Sequence, residues 1–212
     1  RIDSLPNAGS LTLDGVALTA NSIISASDIG AGKLKYIAAA NANGANYTNF
    51  NFSVQDSSGG FDSSSNVVTI NVSAVNDVPT ISLTGATLSG AVREVTDLAP
   101  GENTITHTQT GQFGLGEVDL GDTLRASAIA NAGDYIGNFS VSIPNNTTGD
   151  GVGSLTWNYS VGDNTLSFLR AGETRNQVYT VNVSDGQGGS VSQAITVTLT
   201  GANDAPRGTN NS

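Results

Sequence analysis

Carboxylates are the side chains of this sequence with the means to do chemistry. Asp and Glu number 18 against 8 Lys and Arg, for a net charge of −10. There is no Cys, and His107 is the single histidine. A thiol nucleophile, a thiolate metal site and a disulfide framework are therefore excluded, as is any mechanism that needs two imidazoles. The acids recur in a pattern. Val54-Gln55-Asp56-Ser57-Ser58-Gly59-Gly60 matches Val183-Ser184-Asp185-Gly186-Gln187-Gly188-Gly189, and Val75-Asn76-Asp77-Val78-Pro79 matches Ala202-Asn203-Asp204-Ala205-Pro206. The two acids of a pair stand 21 residues apart in the first copy and 19 in the second, a two-residue difference in loop length. Between the copies, Glu117-Val118-Asp119-Leu120-Gly121-Asp122 puts Glu117 and Asp119 on one face of an extended segment, with Asp122 just beyond.

Several carboxylates with an Asn oxygen and a backbone carbonyl make a hard, oxygen-only shell. That shell suits Ca²⁺, which takes about 6–8 oxygen ligands, better than Mg²⁺, which tends to keep its waters. The same Asn-Asp and Asp-Gly pairs are also ordinary turn formers. Recurrence of both acid positions in two copies favours the metal. Enzymatic chemistry has little to stand on. His107, in Thr106-His107-Thr108, has no nucleophile motif beside it and is expected on a strand surface. The Glu117/Asp119 pair has the residue types for glycoside hydrolysis but no sequence sign of a cleft. Gly59-Gly60 and Gly188-Gly189 belong to hairpin loops rather than phosphate cradles. The chain is expected not to be an enzyme. Its acidity opposes nucleic acid and anionic membrane surfaces, and no run of about 18 apolar residues is present to cross a bilayer.

The elements that position these acids are strands. Leu155, Trp157, Tyr159 and Val161 alternate with Thr156, Asn158 and Ser160. The same period of two runs through Phe139–Ile143, Tyr179–Ser184, Ile195–Thr200, Phe50–Gln55 and Val68–Ser73. Strict alternation gives each strand one buried and one wet face. Asp14-Gly15 between Leu11-Thr12-Leu13 and Val16-Ala17-Leu18 is a two-residue hairpin signal. No amphipathic helix is evident. Many short strands with Gly, Asn and Asp turns predict an all-β chain of sandwich type.

The repeated endings divide the chain into two tandem units, 1–77 and 78–205, followed by a linker or tail at 206–212. Pro79 and Pro206 hold the preceding residues extended, which suits short stiff connections. The second unit is long enough for a whole sandwich. The first carries a hairpin at 10–19 and strands near 33–37, 48–54 and 66–75. It is expected to be a sandwich incomplete at its N-terminal side, with an apolar groove beside Val68, Ile70 and Val72. An edge left open in this way invites a strand from another chain. The start at Arg1-Ile2-Asp3-Ser4-Leu5-Pro6 has the character of an interior stretch of a longer polypeptide.

Residues 80–206 resemble a VCBS repeat, a cadherin- and immunoglobulin-like module found in tandem in very large bacterial surface proteins, RTX-type adhesins among them. The resemblance is carried by Gly90-Ala91-Val92-Arg93-Glu94, Glu117-Val118-Asp119-Leu120-Gly121-Asp122, Leu169-Arg170-Ala171-Gly172-Glu173-Thr174, Tyr179-Thr180-Val181-Asn182-Val183-Ser184-Asp185-Gly186 and Gly201-Ala202-Asn203-Asp204-Ala205-Pro206. Glu117 stands where that family usually has Asp, and Arg93 sits beside Glu94. Residues 1–77 resemble the later part of another cadherin-like repeat, through Arg1–Pro6, Ala26-Ser27-Asp28-Ile29, Asn41-Ala42-Asn43-Gly44 and Val75–Pro79. The resemblance implies secretion to the bacterial cell surface and tandem domains stiffened by Ca²⁺ at their junctions. The candidate ligands are Asp56, Asn76, Asp77, Glu94, Glu117, Asp119, Asp122, Asp185, Asn203 and Asp204. The expected role is a structural extender in adhesion or biofilm, with neighbouring repeats of the same chain as partners. The alternatives are a polysaccharide-binding module that takes cell-surface glycans, or a filament subunit joined to other copies of itself by strand donation.

Overall fold

The computed structural model describes residues 1–203, and Asp204 and the tail at 206–212 lie outside the described residues. The chain divides into two compact units, Arg1–Val75 and a second that begins at Asn76.

In the first unit, β1 (Ser10–Leu13) and β2 (Val16–Ala17) form the hairpin that Asp14-Gly15 predicts, with Leu13 paired to Val16. Asp14 and Gly15 both have positive φ, at 51° and 81°, the conformation whose twist matches the flanking strands. A single-turn helix, α1 (Ala26–Gly30), follows, where the sequence pattern suggested no helix. Ser25 caps it by accepting from the Asp28 N–H at 3.0 Å; one capped turn is too short to register as periodicity. β3 (Leu34–Ile37) completes a three-stranded sheet in the order β2-β1-β3, and β4 (Gly44–Phe52) pairs with β5 (Asn66–Val72) in a second sheet. Ile2, Leu11 and Phe50 are buried between them. Among the described residues β5 has β4 as its only strand partner. A cavity of about 570 Å³ opens onto Phe50, Phe52, Leu34 and Val68, on the side where the sequence placed an apolar groove. Asp3 is held by Arg1, Ser65 and Ser53. Those hydroxyls and the guanidinium bring its pKa down to about 2.

The second unit is an immunoglobulin-like β-sandwich. Its strands are β6 (Thr80–Ser82), β7 (Ser89–Arg93), β8 (Thr106–Gly116), β9 (Arg125–Ala130), β10 (Asn138–Asn145), β11 (Val152–Gly162), β12 (Thr174–Ser184) and β13 (Ser190–Thr200). One sheet runs β10-β11-β8-β6 and the other β7-β13-β12-β9. All neighbours are antiparallel except β7, which lies parallel to β13. The inward row of β11 is the centre of the core. Leu155, Trp157, Tyr159 and Val161 are buried against Val181, Val183, Ile195, Val197 and Leu199 of the opposite sheet. Gly111 faces Trp157 across the β8–β11 pair, and a Cβ there would come within 2.5 Å of the indole ring. The indole N–H donates to the Thr87 carbonyl at 2.7 Å. Phe139 stacks on Tyr179 with ring centroids 4.1 Å apart. Burial pushes the Tyr159 phenol up to about 12, consistent with its hydrogen bond to the Ile136 carbonyl.

Asp163, in the turn after β11, ties three segments together. It is 1% exposed and accepts from the Val95 N–H at 2.8 Å, the Asn103 N–H at 2.8 Å and His107 Nε2 at 2.7 Å. His107 is therefore a half-buried partner of a buried carboxylate, not the free surface residue expected from its strand. Burial by itself would raise the pKa of Asp163, but His107 and the two amides outweigh it and hold the carboxyl below its ordinary value. A depressed native pKa stabilises above the unfolded value and is lost as pH falls through the native one. Asp163→Asn is expected to lower the unfolding free energy of the second unit by about 1–3 kcal/mol at pH 7, the cost of leaving buried donors poorly satisfied. Urea denaturation measures this, and the gap to wild type should close in strong acid, where the wild-type carboxyl is itself protonated.

Candidate metal centre

One end of the second sandwich collects acids from three places in the sequence, for reasons of register. β12 and β13 pair along their full length from Thr174↔Thr200 to Ser184↔Ser190, so residues 185–189 are the hairpin loop at one end. β8 pairs with β11 from Thr106↔Gly162 to Gly116↔Val152, which delivers Glu117 to that end. β6 pairs Thr80 with Gly116, so residues 76–79 arrive there too.

The loop at 185–189 is built around one carboxylate. Asp185 Oδ1 accepts from the N–H groups of Gln187, Gly188 and Gly189 at 2.7, 3.1 and 3.0 Å. Its Oδ2 accepts from the Asn76 side-chain amide at 2.9 Å. The Asn76 bond, with help from the three amides, keeps this carboxyl below its ordinary pKa against the opposing effect of burial. Gly189 has to be glycine, because a Cβ would collide with Asp185 Oδ2 and reach 3.2 Å from the Val78 Cα.

The 117–122 turn supplies the other two acids. Glu117 extends the strand pairing by donating its N–H to the Gly151 carbonyl at 3.0 Å, and the Asp122 N–H closes the turn onto the Asp119 carbonyl at 2.9 Å. Glu117 Oε1 accepts from the Val118 and Asp119 N–H groups at 2.8 and 3.2 Å. Its Oε2 is buried with no hydrogen-bond partner, and so is Asp122 Oδ2. One carboxylate oxygen from each of Glu117, Asp122 and Asp185 lies within 4.8 Å of the others. None of the three acids has a salt-bridge partner among the described residues.

Three carboxylates cannot share that space for hydrogen-bonding reasons alone, since ionised carboxylates only accept. A cation fits. Ca²⁺–oxygen distances of about 2.3–2.6 Å put two ligand oxygens of one ion no more than about 5 Å apart, and the separations here lie within that limit. Buried oxygens without donors are the positions a hard cation fills. The donor set is oxygen only, with no thiolate and no imidazole in it, which disfavours zinc.

The sequence candidates separate into groups. Glu117, Asp122 and Asp185 converge, with Asn76 bonded to Asp185. Asp119 and Asp77 stand beside them, joined by the Asp77 N–H donating to Asp119 Oδ2 at 2.7 Å. Glu94 is elsewhere. Its backbone N–H donates to the carbonyl of Thr200, the last residue of β13, and its Oε2 accepts from the Ala202 N–H at 2.8 Å. The ten steps along the 11 residues of β13, at roughly 3.3 Å each, place it about 33 Å from the Asp185 end. Its Oε1 is buried without a partner, and Asn203 follows Ala202 at that same end. Asp56 belongs to the first unit. It accepts from the Ser58 N–H at 2.8 Å and the Gly60 N–H at 2.9 Å, the counterpart of the Asp185 loop, but it is exposed and joins no group of three acids among the described residues. Asp204 lies outside the described residues. Sequence reasoning missed Thr147, fully buried with its hydroxyl unpartnered. Its carbonyl accepts from the Gly151 N–H, whose own carbonyl holds Glu117; a lone Thr in a polar loop carries no signal of that role.

No protein-family profile matches the chain, and no curated protein matches it. Solved structures with a similar arrangement include AggA, the major subunit of aggregative adherence fimbriae type I from Escherichia coli, at 14% identity and a TM-score of 0.35, covering 60% of this chain and 97% of that one. The PapD-like domain 7 of human CEP192 is similar at 10% identity and 0.33, covering 64% and 96%. Zebrafish RET cadherin-like domains 1 to 4 are similar at 11% identity and 0.33, covering 74% of this chain and 33% of that one. The β-sandwich assignment rests on the strand order and pairing described above.

Proposed function

We propose that this chain is a structural extender module of a large secreted or surface-attached bacterial adhesin, and that Ca²⁺ at the Glu117–Asp122–Asp185 end of the second unit stiffens it. The observation that carries the reading is that Glu117 and Asp122, each with one buried, donorless oxygen, converge with Asp185 beside the connecting residues Asn76 and Asp77. The likeness of residues 80–206 to VCBS repeats supports the adhesin context, and the Asp56 loop of the first unit, bonded in the same way as the Asp185 loop, supports a tandem array. In such arrays each unit touches only its neighbours. Ca²⁺ neutralises the clustered carboxylates beside the docked residues 76–77 and so stiffens that end of the sandwich against mechanical load. A polysaccharide-binding role has less support, because Trp157, Tyr159 and Tyr179 are packed in the core instead of forming an exposed platform.

Calorimetry on the purified protein is expected to show weak Ca²⁺ binding, with Kd on the order of 10⁻⁴–10⁻³ M as in extracellular modules. At ten times Kd, binding to the folded state alone stabilises by about 1.4 kcal/mol per site. The melting temperature of the second unit should rise accordingly between EDTA and millimolar Ca²⁺. An unchanged melting temperature and no calcium heat would overturn the proposal.

Asp122→Asn separates an ion site from a merely structural cluster. Removing one charge relieves repulsion in the empty cluster and removes one ligand. The variant should melt higher than wild type in EDTA and gain little or nothing from Ca²⁺. A variant that melts lower in EDTA yet keeps the full calcium increment would show that Asp122 is structural.

A further inference from the structure

We infer that the Asn76 carboxamide is a two-way latch: without a cation it donates to Asp185, and with a cation bound it turns its carbonyl oxygen to the ion. The second half rests on the calcium reading above; the first does not.

The geometry around Asp185 leaves one oxygen free for the task. Oδ1 already accepts from three loop amides. Oδ2 is the oxygen left to face an ion, and its donor is Asn76 Nδ2 at 2.9 Å. The partial positive charge of that N–H group occupies the place a cation would take. The ion and the amide hydrogens therefore compete for the same lone pairs. A carboxamide can resolve the competition without leaving, because a half-turn about its last torsion exchanges donor for acceptor in nearly the same volume. The rest of the segment is held independently. The Asp77 N–H donates to Asp119 Oδ2 at 2.7 Å, Val78 lies tight against Gly189, and Pro79 is buried. Residues 76–79 consequently stay on the second unit in both states. What the ion changes is the charge balance and the two hydrogen bonds of the Asn76 amide, to Asp185 Oδ2 at 2.9 Å and to the Asp77 carbonyl at 3.2 Å, not whether the segment is docked. The buried, unpartnered Oε2 of Glu117 is the independent sign that something other than Asn76 is meant to complete the cluster.

Two variants of the full chain test this, each with and without the metal. Asn76→Asp keeps an oxygen ligand and removes the donor; Asn76→Ala removes both. In EDTA, Asn76→Asp should melt lower than both wild type and Asn76→Ala, because it adds a carboxylate against Asp185 Oδ2. In a calcium titration Asn76→Asp should bind several-fold tighter than wild type, and Asn76→Ala several-fold weaker. Hydrogen exchange in EDTA should find the Asp77 N–H protected in the wild-type protein. Equal melting of wild type and Asn76→Asp in EDTA, or an unprotected Asp77 N–H, overturns the latch. Calcium affinity in Asn76→Ala equal to or tighter than wild type overturns the turn toward the ion. A wild-type protein that binds no calcium overturns the calcium reading and the turn together, while the EDTA measurements still decide the latch.

Discussion

A buried carboxylate must be given hydrogen-bond donors or a counter-charge, and the organisation of the second unit follows from how that demand is met at each place it arises. Burying an ionised group without compensation is among the costliest steps in folding. Asp163 is met from within the protein, by two backbone amides and His107. That arrangement fastens residues 95–107 to the end of β11 and closes one end of the sandwich. At the Asp185 end, backbone amides saturate Asp185 Oδ1 and Glu117 Oε1, but Glu117 Oε2 and Asp122 Oδ2 receive nothing. There the protein's own donors stop short of the last two carboxylate oxygens.

The two ends thus differ in what completes them, and the core explains why both are rigid enough for the difference to matter. β11 spans the sandwich with an unbroken buried row, from Leu155 at one end to Val161 at the other. Glu117 and Asp163 hang from the two ends of the same β8–β11 pair. Close packing fixes their positions, as interiors packed to crystal-like density do, and Gly111 against Trp157 is the point where that packing leaves no spare volume. Acids placed by so stiff a frame cannot drift apart to relieve their repulsion.

Much of this architecture was legible in the residue order. Period two gave the strands because a sheet with one wet face imposes it, and Asp14-Gly15 gave the hairpin because few other residues accept two consecutive positive φ values. The α1 turn was not legible, since its one capped turn rests on Ser25 and Asp28 and not on an apolar stripe. Repetition identified the acidic loops, but it could not say which acids would meet. That depends on strand register: the β12–β13 loop holds Asp185 at one end of β13, and the Glu94 contact lies at the other. The candidate ligands Asp185 and Glu94 therefore lie a whole strand apart. His107 and Asp163 are 56 residues apart in sequence and meet only because β8 and β11 pair along their full length.

The Asp56 and Asp185 loops show what turns a loop into a site. Both hold a carboxylate oxygen with backbone amides of the loop, and both close with the aspartate N–H on a glycine carbonyl. Their local chemistry is nearly the same, and each keeps its carboxyl ionised. Asp56 is nonetheless exposed, while Asp185 is buried. The difference lies outside the loop, in Asn76 and Val78 crossing over it. The loop's amide cradle creates a fixed anion; the crossing segment and the 117–122 turn confine it with other anions away from water. A sequence repeat can encode the first half of such a site twice, but confinement depends on which segments cross the loop in each unit, and that is the part the repeat does not specify.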